Sequence, residues 1–109
     1  MYIPDKGDIV SLNFDPSAGK EIMERRPAFV ISRKLFNEHT GFAIVAPITS
    51  TIRNMKLETI LPKDLIIKGS VLVHQMKSLD YVDRQIRLIE KAPASTVIKV
   101  TALAKVIMQ

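Results

Sequence analysis

The sequence predicts a small α+β domain: a barrel-like, mostly antiparallel sheet followed by a C-terminal helix. Three observations predict it. Short runs of strand-forming residues recur as far as Glu90, separated by turn formers. Beyond Ala92 the apolar spacing becomes helical, with Val97, Val100, Leu103, Ala104 and Ile107 on one stripe. The chain has 109 residues, 47% of them hydrophobic, which suits one domain over 1–109 with a single modest core.

Asp5-Lys6-Gly7-Asp8 is a turn cluster, and Ile9 to Phe14 then alternates, with Val10, Leu12 and Phe14 on one face. Asp15-Pro16-Ser17-Ala18-Gly19-Lys20 breaks that strand, and the loop runs on to Arg26. A loop of this length inside a small domain is often functional. Ala28 to Ser32 reads as the second strand, Leu35 to His39 as a short helical turn, and Phe42 to Pro47 as a central strand apolar on both faces. Leu57 to Leu61 is a strand stopped by Pro62; Lys63 to Lys68 reads equally as loop or short helix. Ser70 to His74 is a strand, Gln75 to Asp80 a turn or single helical turn, and Gln85 to Glu90 alternates again. Ala92-Pro93-Ala94-Ser95 opens the helix.

Sixteen basic against eleven acidic residues give a net charge of +5, which favours a polyanionic partner such as nucleic acid or an acidic protein segment. The absence of cysteine excludes a disulfide framework and a thiolate metal site. Two scattered histidines and no dense carboxylate cluster offer no metal site either. No apolar run approaches the roughly 20 residues of a membrane span. Met1 to Asp5 has no signal-peptide pattern, so a cytoplasmic protein is expected.

Chemistry concentrates at Glu24-Arg25-Arg26-Pro27-Ala28-Phe29-Val30. Proline biases the preceding residue toward extended backbone, so Arg26 is expected where a loop feeds a strand, with its guanidinium outward. A permanently charged, two-pronged donor suits a phosphate; an arginine pair that solvates a loop fits the same residues.

Three segments together resemble the MazF/PemK/Kid toxin family. They are Gly7-Asp8-Ile9-Val10 with Phe14-Asp15-Pro16, Gly19, Glu21 and Arg26-Pro27-Ala28; then Val45-Ala46-Pro47-Ile48-Thr49-Ser50; then Val71-Leu72-Val73-His74-Gln75 leading to Lys77-Ser78-Leu79-Asp80. The resemblance implies an SH3-like β-barrel with appended helices, acting as a homodimer. It implies a metal-independent, cofactor-free, sequence-specific endoribonuclease on single-stranded RNA, mostly messenger RNA. It also implies an antitoxin that neutralises the toxin with an extended acidic segment. Catalytic positions carry over to Arg26, Thr49 and Glu21. Where some relatives carry a catalytic Asp before the Gln of the third segment, this chain has His74, so that group is either exchanged for imidazole or dispensed with.

RNA supplies its own nucleophile, the 2′-hydroxyl. Arg26 suits the charge developing on phosphorus and Thr49 a phosphoryl oxygen; Glu21 or His74 suits proton transfer. From the residues alone, Thr49 also reads as a turn cap, Glu21 as a carboxylate paired with Lys20 or Arg25, and His74 as a core histidine. Arg25, Arg53, Lys56, Lys77 and Arg84 are the candidate RNA-backbone contacts. The loops Asp15–Arg25 and Ser50–Lys56 would read the bases. Two other readings belong to different classes. A CcdB-like gyrase poison would carry a C-terminal Trp-Gly-Ile, but the chain lacks tryptophan and ends Val106-Ile107-Met108-Gln109. A non-catalytic SH3-like RNA-binding module is the third reading.

Overall fold

A computed structural model describes residues 1–14 and 25–109. Among these the order is β1 (Asp8–Asn13), β2 (Arg25–Val30), α1 (Lys34–Thr40), β3 (Phe42–Thr49), β4 (Glu58–Ile60) and β5 (Ser70–Leu72). A 3-10 turn (Val73–Gln75) follows, then β6 (Lys77–Asp80), β7 (Arg87–Lys91) and α2 (Ala94–Met108). All strand pairs are antiparallel. The sheet runs β4-β5-β3-β2-β1-β7, with β6 beside β3. The α+β class with a terminal helix holds. The sheet is open, however: its outer strands β4 and β7 are not partners, so the barrel is not closed.

Period-2 alternation sends apolar side chains to both faces. Ile9, Phe29, Ala46, Ile48, Val71 and Val73 form one cluster, covered by Val100 and Ala104 of α2. Val10, Leu12, Ala28, Val30, Ala43, Val45, Leu79 and Tyr81 form the second. Each is fully or nearly fully buried.

Four boundaries differ from the sequence reading. β2 begins at Arg25, so Arg26 and Pro27 lie inside the strand, with Ser11 opposite Pro27. β3 passes through Pro47 and ends at Thr49. Pro47 is tolerated because it falls where β3 changes partner: β6 pairs with Phe42 to Val45 and β5 with Ile48 and Thr49. β5 stops at Leu72, so His74 sits in the 3-10 turn. Lys77 to Asp80, read as a turn, is a strand; it buries only Leu79, so its pattern is too polar to announce itself.

One buried polar network ties the N-terminus to β7. Asp8 is 1% exposed. Its carboxylate accepts the Tyr2 hydroxyl at 2.5 Å, the Asp5 N–H at 3.0 Å and the Lys91 ammonium at 2.8 Å. Asp8→Ala removes the acceptor of three donors, of which the Tyr2 hydroxyl and the Asp5 N–H are half-buried, and is expected to cost about 2–3 kcal/mol, on the order of 10 °C in a thermal melt of a domain this size; an unchanged melting temperature would refute the assignment. The hydrogen bond and charge of Asp8 raise the Lys91 pKa. That contribution is complete below the unfolded lysine value and is lost as pH rises through the higher folded value. Burial, then Asp8, raises the Tyr2 pKa also. The unfolded tyrosine therefore loses its proton first, and stability falls with the same sign above about pH 10.

Candidate active site

Alternation along β2 splits the arginine pair. Arg26 is exposed and points to one side. Arg25 turns to the other, where its Nε and Nη2 reach the Ser11 hydroxyl at 3.2 and 3.1 Å. Nη2 also donates to the Ser11 carbonyl at 2.8 Å and to the Gln85 carbonyl. Burial, followed by the charge of Arg87, lowers the Arg25 pKa. Arg25 thus ties β2 to β1 and the turn before β7, and does not reach the Arg26 side.

On the Arg26 side a cleft of about 600 Å³ opens. Its lining includes Arg26 and Pro27 from β2, Ile48 and Thr49 from β3, Ser50 and Arg53 from the following loop, Ile66 and Lys68, and Gln75 from the 3-10 turn. Three cations and two hydroxyls face it, with no carboxylate among the described lining residues. Such a set matches an anionic oxygen-rich ligand.

Thr49 is placed by main chain. It pairs with Ser70 at the end of β3, and Gly69 packs directly on its carbonyl. A Cβ on Gly69 would lie 1.9 Å from the Thr49 carbonyl oxygen and 2.9 Å from the Ser50 Cα. The Gly69 φ of +118° is also one that side chains disfavour. The Thr49 Oγ1 accepts the Thr51 N–H at 3.2 Å. The turn-capping reading therefore holds, and the hydroxyl proton remains available to a ligand oxygen. Arg53 is carried by a loop that Glu58 anchors through the N–H groups of Arg53 and Met55, at 3.2 and 3.0 Å. The Met55 N–H is the main cause that holds the Glu58 carboxyl below the usual range, against an opposing effect of burial; the neighbouring Ser70 and Arg53 add to the lowering.

Arg26, Thr49 and Arg53 therefore share one cleft. Among the described residues, the other candidate site residues from the sequence do not line it. His74 is exposed in the same turn as Gln75 and is not a core histidine. Lys56 is exposed further along the Arg53 loop. Arg84 holds the carbonyls of Asn13 and Phe14 at 3.1 and 2.5 Å, and Lys77 lies 5.3 Å from the Phe14 ring. Those two cations brace the point where the chain leaves β1. Glu21, and most of the loop Asp15–Arg25, lie outside the described residues. Sequence reasoning gave no role to Lys68, Ile66 or Gly69. The only signal for them was a pair of isoleucines and a lysine in an unassigned stretch before a glycine. Among the described residues no three histidine or carboxylate groups cluster as metal ligands, and no helix is long and apolar enough to cross a membrane.

Residues 5–108 match the family described as PemK-like, MazF-like toxin of type II toxin-antitoxin system. The chain is 35% identical over 81 residues to the endoribonuclease toxin MazF of Escherichia coli K12, covering 72% of this chain and 69% of that one. It is 37% identical to the endoribonuclease toxin ChpB of the same organism, covering 70% and 69%. Among solved structures, MazF of Deinococcus radiodurans superposes with a TM-score of 0.88 at 36% identity, over 99% of this chain and 98% of that one. A MazE-MazF crystal structure from D. radiodurans gives 0.87 at 32% identity, over 99% and 97%. With a family match running almost from end to end and relatives this similar, the chain belongs to the PemK/MazF family of toxins of type II toxin-antitoxin systems.

Proposed function

We infer that the chain is an endoribonuclease, the toxin of a type II toxin-antitoxin pair, and that it cuts single-stranded RNA in the cytoplasm without a metal ion. The observation that carries this reading is the cleft shared by Arg26 and Thr49, lined by further cations and free of carboxylates among the described lining residues. In the reaction the RNA 2′-oxygen attacks the adjacent phosphorus while a base takes its proton. The bond to the 5′-oxygen breaks, and that oxygen gains a proton. The products are a 2′,3′-cyclic phosphate and a 5′-hydroxyl. Arg26 takes up the charge on the non-bridging oxygens, and the Thr49 hydroxyl donates a hydrogen bond to one of them. Arg53 and Lys68 hold flanking phosphates. Neither arginine nor threonine is a proton acceptor at neutral pH. The base and acid roles therefore fall to Glu21, which precedes β2 in the sequence, and to His74, one residue from the cleft-lining Gln75.

The toxin acts as a homodimer. α2 leaves Ile98, Val106 and Met108 exposed, with Ile60 of β4 beside a groove of about 480 Å³ lined by Ile60, Lys99, Ala102 and Leu103; burying such apolar surface favours a second copy. An antitoxin with an extended acidic segment complements the cationic cleft and inhibits by covering it.

Purified protein incubated with a long single-stranded RNA in excess chelator should give discrete cuts with 5′-hydroxyl ends, and the same sample should scatter light at twice 12.2 kDa. Intact RNA from a folded sample would overturn the nuclease. A monomer at micromolar concentration would overturn the dimer.

A further inference from the structure

Between Pro62 and Gly69 the chain forms neither helix nor strand, yet it is tied throughout. The Leu61 N–H donates to the Gly69 carbonyl at 2.9 Å and the Leu65 N–H to the Pro62 carbonyl at 3.3 Å. Lys68 Nζ donates to the carbonyls of Lys63 and Leu65. Glu90, reaching over from β7, accepts the Ile66 N–H at 3.0 Å through one carboxylate oxygen and the Ile67 N–H at 2.8 Å through the other. Two charge-assisted bonds to consecutive amides fix the peptide plane between them. Leu65 and Ile67 pack against the core cluster. Ile66, between them, is turned outward, 70% exposed, and lines the same cleft as Arg26 and Thr49.

A large apolar side chain held in water on a clamped backbone, inside a cationic cleft, has a use if a partly apolar ligand enters there. An RNA strand fits: its phosphates meet Arg26, Arg53 and Lys68, and each base brings an apolar face within reach of the wall beside them. A β-branched side chain has few rotamers, so it loses little freedom on contact.

We propose that Ile66 is a specificity-determining residue on which the base adjoining the scissile phosphate packs, and that Glu90 is the positioning residue that holds this wall. The assignment rests on the RNA-cleaving reading above and adds which part of the cleft sorts substrates. Selection by such a wall follows base shape and stacking, since an isoleucine side chain offers no hydrogen bond.

The test compares wild type, Ile66→Ser, Ile66→Leu and Glu90→Gln on a long single-stranded RNA and on a short oligonucleotide carrying the preferred site. Ile66→Ser should raise KM about 10-fold, with the loss falling on KM rather than kcat. It should also redistribute the cuts along the long RNA. Ile66→Leu should recover most of the affinity, and Glu90→Gln should shift KM and cut sites in the same direction as Ile66→Ser. A wild-type KM and cut pattern in Ile66→Ser, or a loss confined to kcat, overturns the proposal. Should Glu90→Gln fail to fold, Ile66→Ser at its exposed position still decides. Uncut RNA with the wild-type protein is a separate result, which removes the nuclease reading itself.

Discussion

Arg26→Ala is expected to lower kcat/KM for RNA cleavage by a factor on the order of 100 to 1000 while leaving the fold in place. The size follows from preorganisation. The guanidinium stands on a strand held by β1, with Leu12 opposite Arg26, and from Ala28 onward also by β3, so little reorganisation is needed when charge builds on phosphorus. Water that replaces it must reorient at each turnover. Because Arg26 is exposed and the buried core begins at Ala28, the stability change should stay near 1 kcal/mol or less. Arg26→Lys keeps the charge but loses the two-pronged geometry, and should fall between the two. Single-turnover rates with a thermal melt of each variant check this. An alanine variant within about threefold of wild type would remove Arg26 from the chemistry.

Gly69→Ala should have the largest effect on the fold and an indirect effect on activity. The added carbon would meet the Thr49 carbonyl oxygen at 1.9 Å, which is backbone and not the end of a flexible side chain. Either β5 or the Thr49–Ser50 segment must move. The positive φ adds strain of its own, on the order of 1–2 kcal/mol for a residue with a Cβ. A total loss of about 3 kcal/mol is expected, or a melting temperature lower by more than 10 °C. What remains folded should show reduced kcat, because the Thr49 hydroxyl leaves the cleft. Denaturant midpoints and cleavage rates measured below the melting transition test both parts. A variant as stable and as active as wild type would mean that Gly69 does not set the position of Thr49.

Alternation and helical spacing made most of the elements legible, since half-buried strands and an amphipathic helix announce themselves locally. The failures share a cause: they depend on contacts distant in sequence. Pro27 and Pro47 looked like strand ends, and only the partner strands show that both are accommodated. Without the true start of β2 the parity of Arg25 and Arg26 is not readable; in the structure Arg25 turns to Ser11 and Gln85 while Arg26 lines the cleft. β6 is polar apart from Leu79 and is a strand because Phe42 to Val45 offers it an edge. Thr49 as a phosphate ligand came from family resemblance; its own neighbourhood spoke for a turn cap, and the hydroxyl does accept the Thr51 N–H. Lys68, Ile66 and Gly69 lay in a stretch with no periodicity to read.

The main-chain contact between Gly69 and Thr49 has an evolutionary consequence. A hydroxyl fixed by two backbones meeting, rather than by side-chain neighbours, keeps its position while the surrounding loops drift in sequence. Substitutions at loop tips can thereby accumulate without moving Thr49, so long as the glycine stays.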